Sequence, residues 1–149
     1  MKQLLILSSL LFTAAPGIAG EYVYLECDNQ MTAVFTEIKT GKLIKEEKKN
    51  ETILLKIDPG RKRFMSHKDN SWDSAEINNG KLSAAINNGD DALTVNGQIT
   101  IDFKPAGQLK LRMKSKAFGM IATDVDAIGQ CSATGESTFE SARLQFSES

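Results

Sequence analysis

Residues 109–116 alternate between apolar and cationic side chains. Leu109, Leu111 and Met113 occupy alternate positions, and from residue 110 to residue 116 every second residue is Lys or Arg. Because successive side chains of a strand point to opposite faces, a period of two separates the two sets. A helical period of about 3.6 residues would mix them. The segment therefore predicts a β-strand with one buried face and one charged face.

Shorter runs with the same period follow one another along the chain, separated by turn signals roughly every eight to twelve residues. Asn79-Gly80 is a strong hairpin signal, and a two-residue loop there places Ile77 opposite Leu82. No helical crossover separates the runs, so a parallel α/β sheet is not expected. We predict an all-β fold, an antiparallel meander of about eight strands that forms a small barrel or sandwich.

The sequence predicts some of the loops between these strands less clearly than the strands themselves. A loop over residues 105–107 would place Phe103 opposite Leu109, and Asp102 opposite Lys110. Asn96-Gly97 is compatible with a hairpin, a bulge or a longer loop. The lysine-rich residues 42–50 predict a loop or a frayed edge.

The C-terminal segment favours a short helix over an edge strand. Residues 137–140 match a capping box, and Phe139, Ala142 and Phe146 share one helical face.

The N-terminal residues predict a cleaved secretory signal peptide. Lys2 supplies a positive charge, residues 4–12 form an apolar run, and small residues precede a cleavage site after Ala19. The run is much shorter than the roughly 20 residues that span a bilayer. We therefore expect a signal peptide over residues 1–19, and a single β-rich domain without a membrane span over residues 20–149. The mature protein would be periplasmic or secreted.

Export determines how the two cysteines are interpreted. Disulfides persist in oxidising compartments, and Cys27 and Cys131 allow one intramolecular pairing. Metal or redox sites favour close Cys-x-x-Cys spacing or histidine partners, which this chain lacks. We predict a disulfide that links the beginning of the domain to its end.

Candidate catalytic groups are few. His67 is the only histidine, and its neighbours Ser66 and Asp69 would point to different sides of an extended chain, so we interpret it as a solvated loop residue. Asp124 and Asp126 share one strand face and are interpreted as surface carboxylates. We predict no catalytic residue, no metal site and no cofactor.

The charged face of the strand predicted over residues 109–116 is a candidate binding surface. Residues 104–116 contain five cationic residues and no acidic residue. Such a face would attract an acidic protein or a polyanionic envelope component, or it would protect an edge strand from aggregation. Nucleic acid is not expected, because no aromatic residues are interleaved for base stacking. The basic face, as named from here on, consists of Lys110, Arg112, Lys114 and Lys116.

Three short motifs resemble a broad group of small exported proteobacterial β-rich proteins: Tyr24-x-x-Cys27, Ile57-Asp58-Pro59 and Gly129-x-Cys131. The chain is also similar to periplasmic inhibitors of c-type lysozyme in size, leader and terminal cysteines, which implies an enzyme inhibitor. The Ser-Gly-x-x-Tyr motif of those inhibitors does not occur in this sequence, so no inhibitory residue is carried over.

These observations favour a non-enzymatic binding module that engages a protein or an envelope polymer through a sheet face. A small barrel that carries an apolar ligand is the first alternative, and an enzyme built on His67, Asp124 or Asp126 is a further one. The interior of the fold discriminates between them. A deep apolar cavity would favour a carrier, convergent carboxylates an enzyme, and a filled core a surface-binding module.

Overall fold

The computed structural model describes residues 21–149, and the predicted signal peptide lies outside the described residues. The described residues form nine antiparallel strands and one helix, which confirms the all-β prediction with one more strand than expected. The elements are β1 (Val23–Glu37), β2 (Leu43–Asp58), β3 (Arg63–Ser66), β4 (Asp73–Ser74), β5 (Glu76–Asn78), β6 (Lys81–Gly89), β7 (Leu93–Phe103), β8 (Ala106–Ala117), β9 (Ile121–Ala133) and α1 (Glu136–Ser147).

The strands form one nearly closed barrel instead of a sandwich. Their spatial order is β4-β3-β2-β1-β9-β8-β7-β6-β5, so all strands that are consecutive in sequence pair except β4 with β5, and β1 also pairs with β9. The sheet is interrupted between β4 and β5, which are separated only by Ala75. We call this interruption the seam.

The predicted disulfide is confirmed and lies opposite the seam in strand order. Cys27 on β1 and Cys131 on β9 are register partners with Cα atoms 4.0 Å apart, and both are buried. The bond therefore links the first strand to the last at the pairing that closes the meander.

Two apolar clusters lie on opposite sides of the barrel wall. The interior cluster includes the fully buried Leu25, Ile57 and Ile101. On the outside, α1 inserts Phe139 against Leu54 and Met65. The alternation along β2 explains both contacts, because successive residues face the interior and the helix in turn.

Residues 42–50 were predicted to be a loop or a frayed edge, and the loop alternative was wrong. Residues 43–50 form the first half of β2 and pair with β1, from Met31↔Lys49 to Thr36↔Leu43, with a free edge on the other side because β3 pairs only with residues 55–58. All the side chains of this half are exposed, so its lysines and glutamates remain solvated in an extended strand.

The predicted β7–β8 register was also wrong. The turn is Lys104-Pro105, and Ile101 pairs with Leu109. A bulge restores the apolar face, because two residues of β8, Gly107 and Gln108, lie opposite Asp102. Asn96-Gly97 forms no turn and lies within β7, whereas the predicted pairing of Ile77 with Leu82 is confirmed.

The predicted C-terminal helix is present, but its capping box is not. The helix begins after Gly135, and no side chain caps it. Glu140 instead contacts Lys56 at 3.4 Å and Arg143 at 3.0 Å. In the region that the structure covers, no helix has the length and apolar character needed to traverse a bilayer.

Candidate ligand-binding cavity

The barrel interior contains a cavity of about 430 Å³. Strands on both sides of the seam contribute to its wall, together with β1, β9, β8 and β7 between them. Its apolar lining consists of Met31, Ile53, Leu55, Phe64, Ala84, Ala85, Ile86, Ile99, Leu109, Leu111 and Ala127.

Two small side chains leave this space unfilled. A continuous row of register partners crosses five strands in the order Met31, Ala127, Leu111, Ile99 and Ala84. Large apolar residues in all five positions would fill a small barrel, but Ala84 and Ala127 each contribute only a methyl group to the lining. The cavity is therefore a consequence of residue size along one inward-facing row.

The cavity extends to the seam, where its lining becomes polar. β3 pairs with β2 only over residues 55–58, and β5 pairs with β6 only over residues 81–83. Within the described chain, residues 43–54 of β2 and residues 84–89 of β6 therefore have no strand partner on the seam side. The polar lining residues come from both sides of the seam and are Ser66, Asp69, Asp73, Ser74, Asn87 and Asn88.

One of the two carboxylates at the seam, Asp73, has a perturbed pKa. Partial burial raises the pKa of Asp73 above its ordinary value, and the negative charge of Asp69 raises it further. Neither carboxylate forms an ion pair within residues 21–149, so the seam side of the lining is acidic and has no cationic partner in direct contact.

Asn29 is a buried polar residue in the cavity lining, and sequence reasoning missed it. Only 2% of its surface is exposed. Its Nδ2 donates to the carbonyl oxygen of Cys27 at 3.2 Å, whereas Oδ1 has no hydrogen-bond partner among the described residues. The signal was present in the alternation, because Leu25, Cys27 and residue 29 occupy successive inward-facing positions.

The structure places the basic face on the outside of β8, where two of its four cations face carboxylates. Arg112 lies 3.3 Å from Asp126, and Lys114 lies 3.6 Å from Asp124. The predicted opposition of Asp102 and Lys110 was wrong, because the turn is one residue shorter than predicted and the bulge compensates only part of the shift. Lys110 lies opposite Thr100, and Asp102 contacts Lys81 at 3.3 Å instead.

Three turns at one end of the sheet form an exposed apolar surface that is separate from the cavity. The N–H of Ile38 donates to the carbonyl of Met120 at 2.8 Å, and the N–H of Phe118 donates to that of Ala92 at 2.6 Å, which joins the turns. We call this surface the apolar end. Its exposed residues are Ile38, Leu43, Ile44, Leu93, Phe118, Met120 and Ile121.

His67 lies in the turn that follows β3, as expected of a loop residue, but it is buried, so the prediction that it is solvated was wrong. Its ring packs edge-on against Phe146 of α1, with centroids 6.1 Å apart, and it lies outside the cavity lining. Asp124 and Asp126 are remote from it in the sheet, on β9. Across residues 21–149, no cluster of three or more His, Cys, Asp or Glu side chains is arranged to hold a metal ion.

No known family model, curated protein or solved structure matches this chain.

Proposed function

We propose that this protein is a non-enzymatic binding protein that holds a small, mainly apolar molecule in its barrel. The observation that carries the proposal is the apolar cavity of about 430 Å³. Its size falls within the range of roughly 300–1,000 Å³ that is typical of small-molecule sites. A sheet-face binding module, the first hypothesis from the sequence, has less support, because carboxylates oppose two cations of the basic face.

The expected driving force is removal of apolar surface from water. Each buried methylene group contributes about 0.8 kcal/mol. A ligand with eight of them would therefore gain about 6 kcal/mol, from which the loss of translational and conformational freedom is subtracted. We expect weak to moderate affinity for such minimal ligands and tighter binding for larger ones that fill the cavity.

An exported location fits this proposal. The disulfide between Cys27 and Cys131 fits a periplasmic or extracellular protein, because such bonds persist in oxidising compartments. A carrier in the periplasm would shield an apolar molecule from water.

The test is binding of a fluorescent apolar dye, N-phenyl-1-naphthylamine, to the purified mature protein. We expect Ala127→Leu, which adds volume inside the cavity, to weaken dye binding at least tenfold. Ala84→Leu also adds volume inside the cavity, from β6 instead of β9, and should weaken dye binding in the same way. It provides a second variant if the first fails to fold. The matched control is Ala133→Leu, which adds the same volume at an exposed position outside the lining.

The apolar end supplies a second control, because a dye also adsorbs to exposed apolar surface. Phe118 is 72% exposed there, and Phe118→Ser should leave cavity binding unchanged. Dye binding that is lost in Phe118→Ser but retained in both cavity-filling variants would overturn the proposal.

A further inference from the structure

We infer that two copies of this protein pair through the free edge of β2 and form a symmetric antiparallel dimer. This edge comprises residues 43–53, which have no strand partner on the seam side within the described chain. It ends where the N–H of His67 donates to the carbonyl oxygen of Leu54. The inference concerns the edge of the sheet and is independent of what occupies the cavity.

The backbone groups of this edge are oriented for pairing with another strand. Leu54 exchanges two hydrogen bonds with His67 on the seam side of β2. Because the N–H and C=O groups of alternate residues point to the same side of a strand, residues 46, 48, 50 and 52 also direct theirs to the seam side. A row of unpaired donors and acceptors is a template for a further strand.

The charges of this edge match themselves in one antiparallel register. A two-fold axis perpendicular to the sheet brings odd-numbered residues opposite odd-numbered ones, because each face of β2 meets the same face of its copy. With Lys48 on the axis, Lys49 lies opposite Glu47 of the second copy, and Lys45 lies opposite Glu51. In one copy, Lys45 contacts Glu47 at 2.7 Å and Lys49 contacts Glu51 at 3.5 Å. The dimer extends these pairs into a network across two strands, and opposite charges that face each other stabilise strand pairing.

Neighbouring registers are unfavourable, and the length of the free edge agrees with the favoured one. An axis at residue 47 would place Glu47 against itself and Lys45 against Lys49, and an axis at residue 49 would place Lys49 against itself. Like charges directly opposite destabilise strand pairing. Residue 48 is also the midpoint of residues 43–53, so the favoured register pairs the whole edge with itself.

The charged side chains do not protect this edge from its own copy. Lysines protect an edge strand when two copies repel each other, but in this register only Lys48 meets itself. Lys48 lies 3.5 Å from Glu46 of the same strand and diagonally across from Glu46 of the second copy, which offsets the repulsion. The free edge of β6, residues 84–89, contains no charged residue and offers no such match. Pairing β2 with β6 would also lead to rings or filaments, whereas β2 with β2 closes as a dimer.

The test is the oligomeric state of the purified mature protein, measured by sedimentation equilibrium. We expect a monomer–dimer equilibrium that shifts towards monomer at high salt, because exposed ion pairs are screened. Lys48→Pro removes an N–H that points away from β1, a position at which an edge strand tolerates proline. This variant should fold and remain monomeric. The matched control, Lys48→Ser, keeps the N–H and removes the repulsion on the axis, so it should dimerise at least as tightly as wild-type protein.

Two further sets of variants test the register. Lys49→Glu places like charges opposite each other and should weaken the dimer by roughly tenfold, and the addition of Glu47→Lys should restore it. Lys48→Cys supplies an unpaired cysteine, because both native cysteines form the disulfide. It should cross-link to its own copy, since facing residues of antiparallel strands are about 4.5–5.5 Å apart. The control Glu46→Cys faces Asn50 and should cross-link much more slowly.

The outcomes decide between this dimer and other uses of the edge. A monomer at every protein concentration up to roughly 1 mM would overturn the inference, and capture of an extended peptide at the edge of such a monomer would identify a different occupant. A dimer that persists in Lys48→Pro, or that Lys48→Cys does not cross-link, would show that the copies meet elsewhere and would also overturn it. Should Lys48→Pro fail to fold, the loss of the dimer in Lys49→Glu and its return with Glu47→Lys decide the question.

Discussion

Leu54 and His67 exchange two hydrogen bonds. The N–H of His67 donates to the carbonyl oxygen of Leu54 at 2.9 Å, and the N–H of Leu54 donates to Nδ1 of the His67 ring at 3.1 Å. The second bond requires an unprotonated Nδ1. Burial lowers the pKa of His67 below its ordinary value, so both observations indicate a neutral imidazole in the folded protein.

This neutral histidine should make stability depend on pH. Below about pH 6.5 the unfolded chain protonates His67, whereas the folded chain resists protonation. The free energy of unfolding should therefore fall as the pH decreases from 7 towards 5, by at most about 1.4 kcal/mol per pH unit from this group. His67→Asn retains an acceptor for the N–H of Leu54 and should flatten this dependence. Urea unfolding of both proteins across this range provides the measurement, and parallel curves would contradict the prediction.

The disulfide should be a major source of stability. Cys27 and Cys131 are 104 positions apart in sequence, and the loop-entropy model assigns about 4–5 kcal/mol to a loop of that length. We expect Cys27→Ala combined with Cys131→Ala to lower the free energy of unfolding by up to this amount. Alkylation before and after reduction, followed by mass measurement, tests the bond itself. Two thiols that are alkylated without prior reduction would refute it.

Phe139 should anchor α1 to the barrel. It is fully buried against the outer face of β2 and β3, and its ring lies 5.8 Å from that of Tyr24. Phe139→Ala should lower the free energy of unfolding by about 3–5 kcal/mol, as is typical of large-to-small core changes. Leu144→Ala is the matched control in the same helix, because Leu144 is 59% exposed and its loss should cost less than about 0.5 kcal/mol. Similar losses in both variants, measured by denaturant unfolding, would show that the helix is not anchored through Phe139.

The basic face should contribute little to stability or to cavity binding. The ion pairs of Arg112 and Lys114 are exposed, and such pairs contribute about 0.2–1 kcal/mol each. We expect the combined variant Lys110→Ser, Arg112→Ser and Lys114→Ser to fold and to bind the dye as wild-type protein does. A pull-down from periplasmic extract at low and high salt tests the remaining role of this face. Salt-sensitive loss of a captured acidic partner in the variant would show that the face is a recognition surface.

Local sequence patterns predicted those features that depend on residues close together in the chain. Asn79-Gly80 set the pairing of Ile77 with Leu82, because a two-residue loop allows one register. The β7–β8 register depended on a bulge at Gly107, and alternation alone does not reveal an extra residue in one strand. The strand over residues 43–50 was not recognised in the sequence, because neither of its faces is buried and its polar side chains therefore show no alternation with apolar ones.

The sequence by itself determined the all-β class, the antiparallel meander and the pairing of Cys27 with Cys131, since periodicity, turn chemistry and a single possible bond specify them. Only the tertiary structure decided that the meander curves into a barrel, that α1 covers His67, and that Ala84 and Ala127 lie in one row around an unfilled space. The physical reason is that burial and cavity volume depend on side chains far apart in sequence. Their sizes combine only after the strands close on each other.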